Sequence, residues 1–467
     1  MQQQENKGLS ISVRSFIMAI AVIFVLMVSA YVLTFLVPGG AYARTLDAGG
    51  NLIIDTTAEF TYIEGGIPFW KWMLSPLLVL GAAGSGTLIA VIVFLLVIGG
   101  IFTCLDRCGL MKYMLHKTTN RFGAVRYRLM AVVSLLFMAM GTMIGSFEEC
   151  VPLVPIVVAM SVELGWDALT GMGMSLLAAG CGFAAGVCNP FTVGVAQQLA
   201  GLPMFSGAWL RMISFLLIYL LLYAFLHAHA RKVEQPLDKV QSASSFAVDA
   251  RMDRGLRAFV GILGAGIAVI LCSGFITALQ DYTMIIVAVM FLAAGIVSAC
   301  LCGMNGRELG KNFLDGVMAI FPAVLMILMA SSIRYTLEEA KVLDTLLHEA
   351  VGLAQKLPGW TVILFIYFIV LIMNFFIPSG SAKAFMLIPL IVPMAQVFGL
   401  SAQLCVVAFA FGDGFSNVFY PTNPALLIAL GLADISYGDW FRWSGKFQLL
   451  NLLLTSLILL AGLAIGY

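Results

Sequence analysis

Runs of about 20 apolar residues recur from one end of the chain to the other, each long enough to cross a hydrocarbon core of about 30 Å. That repetition restricts the chain to an all-α polytopic membrane protein, because helices satisfy their own backbone hydrogen bonds in lipid. Composition agrees. The chain is 61% hydrophobic and 10% charged, with a mean hydropathy of +1.02, whereas soluble domains carry about 25% charged residues. The first run, Ile11 to Val37, is too long and wrongly flanked for a cleaved signal peptide and reads as a retained first span. The nine cysteines are scattered through apolar segments without metal-ligand spacing and read as small core residues.

Spans are predicted near 12–37, 82–105, 168–200, 207–230, 255–275, 281–302, 316–333, 402–432 and 443–466. Two further apolar pairs, 128–164 and 361–400, are each interrupted near the middle. With the N-terminus cytoplasmic, the basic segments 106–128 and 231–257 both fall inside, provided that 128–164 enters and leaves on one face. The acidic loop 38–81 then lies outside. Segment 128–164 is therefore predicted to be a re-entrant hairpin.

A constant shift superimposes Pro155 on Pro389, Met160 on Met394, Gly165 on Gly399, Gly180 on Gly414 and Asn189-Pro190 on Asn423-Pro424. After a short gap, "GAWLR" (207–211) matches "GDWFR" (438–442). The ordering of breakpoints points to a duplicated chain. The extra span at 255–275 inverts the second copy. The predicted organisation is a first repeat, 1–230, with a cytoplasmic-side hairpin 128–164 and broken helix 168–200. A cytoplasmic linker, 231–254, leads to a second repeat, 255–467, with the extra span, an external-side hairpin 361–400 and broken helix 402–432. Opposed hairpins in an inverted repeat are the architecture expected of an alternating-access carrier. The charged segments before the hairpins, 106–127 and 334–357, read as interfacial arms. In the second, Leu343, Leu346, Leu347, Ala350, Ala354 and Leu357 lie opposite Glu338, Glu339, Lys341 and Glu349.

Helix breaks at membrane depth are tolerated where the backbone is buried in protein or lines a cavity. Four polar breaks stand out: "GSFEEC" (145–150), "CNPFT" (188–192), "SGSAK" (379–383) and "PTNP" (421–424). Each would free N–H groups that hold carboxylates or C=O groups that hold cations. Glu148, Glu149, Lys383 and Asp413 are the ionisable residues placed deepest, and unpaired they would cost several kcal/mol. The internal alignment sets Glu149 opposite Lys383, which reads either as an ion pair or as a clamp for an amine and a carboxylate. Asp413 and Asn417 are four apart, on one helix face with Ser416, and read as a cation or proton site.

Other chemistries fall away. His227 and His229 sit two apart at a span's cytoplasmic end, the wrong spacing for a shared metal, and no metal site is expected. "FGDG" lacks the partner motif of an intramembrane aspartyl protease. Without a "GxxxxGK[ST]" loop, ATP drive by this chain is unsupported. No nucleophile with its base appears, so no enzyme is expected, and a channel's continuous polar pathway is missing.

"GSFEECVPLVP", "GVCNPFTVGVAQQLAGLP", "FIPSGSAKAFMLIPLIVPMAQVFGLS" and "FGDGFSNVFYPTNPALLIALGLA" resemble the YfcC-like basic amino-acid antiporters. These are grouped with the DcuC-type C4-dicarboxylate carriers of the ion transporter superfamily. The resemblance implies a multi-pass inner-membrane secondary carrier with scaffold and transport domains that works by an elevator motion, while the charge pattern and span count place the N-terminus in the cytoplasm and the C-terminus outside. It implies Ser146, Asn189, Thr192, Ser379, Ser381, Thr422 and Asn423 at the substrate and ion site. Joined with Glu148, Glu149, Gly380 and Lys383, these form the candidate substrate site, with Asp413, Ser416 and Asn417 for ion coupling. No cofactor is expected beyond Na⁺ or H⁺ as coupling ion. The partners are a small-molecule substrate and the bilayer, no nucleic acid, and a homodimer is compatible. The substrate is read as a small amino acid, with a basic one the favoured candidate, moved by antiport or symport; the alternative is a C4-dicarboxylate.

Overall fold

A computed structural model of the chain describes residues 13–46, 52–54, 59–82, 85–114, 117, 123–144, 148–236, 249–273, 283–354 and 356–467. The protein is a mostly helical, multi-span membrane protein. Among the described residues, eight helices are long and apolar enough to cross a bilayer.

The first half contains α1 (Val13–Leu36), α2 (Ser85–Arg107), α3 (Arg126–Ile144), α4 (Val154–Glu163), α5 (Ala168–Ala185), α6 (Val195–Leu199) and α7 (Ala208–Val233). The second contains α8 (Ala250–Ser273), α9 (Thr283–Leu301), α10 (Gly306–Glu339), α11 (Val342–Ala354), α12 (Gly359–Phe376), α13 (Gly380–Val397), α14 (Ala402–Asn417), α15 (Pro424–Leu432) and α16 (Tyr437–Ala464). Helices α1, α2, α8, α9 and α10 pack as one group. In the other group α3 lies on α5, α12 on α14 and α5 on α14, with α7 and α16 alongside.

Within the second group the order of elements recurs: long helix, sharp turn, helix, broken helix, long helix. The halves are interlocked. Helix α13 packs on α6, while α4 and the preceding turn Glu148–Leu153 pack on α15. Backbones approach closely where glycine permits it. A Cβ on Gly182 would stand 1.8 Å from the Met138 carbonyl oxygen, and one on Gly414 would stand 2.2 Å from Ala184 Cα. These contacts weld α3 to α5 and α5 to α14, since in lipid helices are held mainly by packing and interhelical hydrogen bonds.

The breaks have local causes. Helix α5 holds a π-turn at Gly173–Leu177 and stops at Gly186, whose φ of +54° suits glycine. Its other end is capped by Asp167, which accepts from Thr170 N–H at 2.9 Å and pairs with His229 Nε2 at 2.9 Å. Burial pushes the Asp167 carboxyl up, but hydrogen bonds from His229 and Thr170 outweigh this and hold it below the ordinary range. His229 thus ties α7 to α5. In the second half α14 ends at Asn417, and α15 starts with Asn423 as N-cap and Pro424 in its first turn.

Three expectations are corrected. The span expected at 316–333 is part of a 34-residue helix, α10, opened by a capping box of Asn305 and Glu308. Residues 334–339 therefore continue this helix rather than start an arm; the chain turns at Lys341 (φ 59°), and only Val342–Ala354 forms a separate helix. Nor is the fold purely helical. Strands Gly39–Ala41 and Thr61–Ile63 pair antiparallel, as do Arg44–Leu46 and Leu52–Ile54.

This nested hairpin clasps α11. Asp344, buried on that helix, accepts two bonds from Arg44 Nη2 at 3.0 and 3.1 Å and one from Tyr42 N–H at 3.2 Å. The Phe60 ring stacks on His348 at 4.1 Å, and burial together with the Asp344 charge pushes the Tyr42 hydroxyl up to about 12. The polar face of α11 thus meets protein.

Gly182→Ala is expected to lower the unfolding midpoint of the purified protein, at a cost of about 1–3 kcal/mol for overpacking. Gly261→Ala, on open lipid-facing space, should leave it unchanged. Equal midpoints in a detergent melting series would remove the backbone-contact argument.

Candidate functional site

Asn374 was not singled out from the sequence, yet it organises the site. It is buried three residues before Ile377 closes α12, a lone amide in the apolar run "IVLIMNFFIP". Its Nδ2 donates to the Asp413 carbonyl at 3.2 Å, to Ser416 Oγ at 2.7 Å and to Asn417 Oδ1 at 3.1 Å. Its Oδ1 accepts from Lys383 Nζ. Lys383 also donates to the Ile377 carbonyl at 3.1 Å and to Asp413 Oδ1 at 2.6 Å. Both ion-pair partners are fully buried.

The network continues to the second break. Asn423 Nδ2 donates to Asn417 Oδ1 at 2.9 Å, while Asn423 Oδ1 accepts from Ala425 N–H at 2.9 Å. One chain of hydrogen bonds thus runs from the tip of α13, through α12 and α14, to the first turn of α15.

The first break meets the same place. Val187 N–H donates to Thr142 Oγ1 at 2.8 Å, and Thr192 N–H to Asn189 Oδ1 at 3.1 Å. Asn189 and Thr192 are fully buried. A Cβ on Gly380 would stand 2.4 Å from Thr192 Cγ2 and 2.5 Å from Asp413 Oδ2. Glycine there lets the tip "SGSAK" touch both the first break and the buried carboxylate. Ser379 and Ser381 flank it, half-buried.

Of the sequence-predicted residues, Thr192, Gly380, Lys383, Asp413, Ser416, Asn417 and Asn423 are brought together. Thr422 is buried beside Asn423. Ser146 and the side chains of Glu148 and Glu149 lie outside the described residues; the backbone of both glutamates belongs to the turn Glu148–Leu153. The described partners of Lys383 are Asp413, Asn374 and the Ile377 carbonyl. Among the described residues at this place, the buried oxygens Asp413 Oδ2, Thr192 Oγ1 and Thr422 Oγ1 have no hydrogen-bond partner. Such atoms are costly to bury unmet, so they mark where a solute or proton can be received.

Apolar helices broken in mid-course, with charged and amide side chains gathered at the breaks, define a membrane carrier. The sequence profile of the DcuC family, described as C4-dicarboxylate anaerobic carriers, matches residues 16–464, and the chain belongs to that family. It is thus a secondary transporter rather than an enzyme. It is 28% identical over 409 residues to a protein of Escherichia coli (strain K12) described as "Putative basic amino acid antiporter YfcC", covering 82% of this chain and 79% of that one. An uncharacterized protein of Haemophilus influenzae is 24% identical over 377 residues, covering 77% and 72%. Among solved structures, the Alcanivorax borkumensis YdaH transporter aligns with a TM-score of 0.46 and 17% identity over 97% of this chain and 99% of its own. Neisseria gonorrhoeae MtrF, described within a class of antimetabolite efflux pumps, aligns with a TM-score of 0.46 and 16% identity over 95% and 94%.

Removing one partner of a buried ion pair strands the other and costs about 3–5 kcal/mol, whereas replacing both with apolar groups is often neutral. Lys383→Met and Asp413→Leu are each expected to lower the melting midpoint strongly, and the double variant to recover most of the loss. Additive losses would show that the two charges do not answer each other.

Proposed function

We propose that the chain carries a small amino acid, with basic amino acids the leading candidates, across the inner membrane by exchange or proton-coupled alternating access. The observation that carries this reading is the occupation of Lys383. Its ammonium is answered by Asp413 Oδ1, so the α13 tip offers no free positive charge to a dianion, while Glu148 and Glu149 add negative charge to the opposite tip. A solute with an amine suits that balance, and the similarity to YfcC supports it. The second reading, a C4-dicarboxylate, is favoured by the description of the family.

The motion we infer is that of an elevator in an inverted repeat, with the N-terminus cytoplasmic and the C-terminus external. Helices α1, α2 and α8–α10 would form the scaffold, and α3–α7 with α12–α16 the moving domain. The seam between them supports this. A small pocket on it is lined by Phe94, Leu95 and Ile98 on α2 against Val151, Ile428 and Leu432, all apolar.

Coupling to Na⁺ fits poorly at Asp413, Ser416 and Asn417. Ser416 Oγ and Asn417 Oδ1 already accept from Asn374, and the Lys383 ammonium stands among Asp413 Oδ1, Asn374 Oδ1 and the Ile377 carbonyl, the oxygens a cation would need. These residues supply the cation themselves.

In proteoliposomes loaded with unlabelled arginine, labelled arginine is expected to accumulate by saturable counterflow. The rate should be unchanged when choline replaces Na⁺ and reduced at least about tenfold in Glu149→Gln, a loss of about 1.4 kcal/mol or more. Counterflow of succinate but not arginine would transfer the assignment to the dicarboxylate reading, and a strict Na⁺ requirement would refute the internal-cation argument.

A further inference from the structure

Arg211 lies in the first turn of α7, four residues after the Gly207 cap, and is fully buried. Its Nε, Nη1 and Nη2 atoms meet no partner at hydrogen-bond geometry, and no carboxylate of a described residue pairs with it. The groups that reach it are the Tyr467 hydroxyl, which can also accept from it, and the Cys188 thiol. The Tyr467 hydroxyl donates to the Gly207 carbonyl at 2.5 Å. Among the described residues no ion pair answers the guanidinium charge.

Its position makes matters worse for the unliganded protein. The first turn of a helix carries the positive end of the helix dipole, and α7 has no side-chain cap there. A guanidinium in that turn is repelled by the backbone that carries it. Packing does not demand the charge, since an apolar side chain of similar length would fill the space without desolvating an ion. Nor is burial a property of the motif. Arg442, which occupies the matching position in "GDWFR", is exposed.

The neighbourhood says what the charge is for. Helix α7 packs on α5, whose end opens into the break at Cys188–Thr192. Cys188 lies toward Arg211, while Thr192 reaches the α13 tip and Asp413 on the other side. Arg211 and the Lys383–Asp413 pair thus flank one break. One end presents an uncompensated guanidinium, and the other a carboxylate oxygen without a donor, Asp413 Oδ2.

We propose that Arg211 is the carboxylate-binding residue of the transported solute. The planar guanidinium forms two parallel N–H···O bonds with a carboxylate, a match that a lysine cannot reproduce. Free N–H groups in the first turn of α7 reinforce the same negative charge. The assignment rests on the carrier reading above and gives it what Lys383 lacks, a cation not already spoken for. The rest of the solute extends along the break toward Thr192 and the α13 tip.

Thermal melting of the purified full-length protein in detergent tests this with four probes and a chloride control: arginine, succinate, acetate, and agmatine, which is arginine without its carboxylate. At least one of the three carboxylates is expected to raise the midpoint of the wild type, and agmatine to leave it unmoved. Arg211→Met should melt at or above the wild-type midpoint without ligand, because an unmet charge has been removed, and should lose the carboxylate shift. A clearly lower unliganded midpoint would identify Arg211 as a structural residue and overturn the proposal. So would a shift retained in Arg211→Met, a shift produced equally by chloride, or no shift with any carboxylate. Counterflow on the same preparations separates the two readings. Carboxylate binding without counterflow in the wild type would sink the carrier mechanism and leave the Arg211 assignment standing. Wild-type counterflow in Arg211→Met would sink the Arg211 assignment alone.

Discussion

The fully buried pair of Lys383 and Asp413 is the interaction on which the arrangement of the site depends. Two opposite charges in a low-dielectric interior hold each other strongly, but only while their remaining hydrogen-bonding capacity is met. Asn374 and the Ile377 carbonyl meet it for Lys383. That requirement fixes the geometry of three helices at once. Helix α12 must end where its last turn can supply Asn374 and Ile377, α13 must begin close enough for Lys383 to reach back, and α14 must present Asp413 to both. The unwound ends of the helices are then consequences of a charge that has to be satisfied.

Close backbone packing makes the same point without charge. Gly182 against Met138 and Gly414 against Ala184 remove any freedom between α3, α5 and α14. The domain that carries the polar breaks is therefore stiff. Such stiffness within the helix group that holds the breaks is what the proposed elevator motion would require. Where α2 faces the other helix group, Phe94 and Ile98 meet Ile428 across an apolar pocket.

Much of this was legible in the sequence. Length and apolar composition mark the spans, and Gly, Pro, Ser, Thr and Asn at membrane depth mark the breaks, because such residues there have few structural excuses. Asn189, Thr192 and Asn423 were picked out in this way, and Lys383 and Asp413 as charges deep in apolar sequence; the structure gathers Thr192, Lys383, Asp413 and Asn423 at the breaks. What escaped has a physical reason in each case. The partnership of Lys383 with Asp413 depends on how two helices turn toward each other over a 30-residue separation, which periodicity within either does not encode. Asn374 is a single amide in an apolar run, indistinguishable by composition from a tolerated polar residue. The polar ends of α10 looked like loops because hydropathy stops at the edge of the bilayer and the helix does not. The strands around Tyr42 and Phe60 are three residues each, too short to show an alternating pattern.

The interlock between the halves has a consequence for how the protein is made. The first break, with Asn189 and Thr192, leaves the ribosome well before the α13 tip that lies against it has been synthesised. Helix α15, which braces the turn at Glu148–Leu153, comes later still. Until then the first break lacks the neighbours it has in the finished protein, so the site cannot be complete before the second half has been made. A chain truncated before α12 would carry the first break and no mature site, so biogenesis sets a direction that the two-fold pattern of the finished molecule conceals.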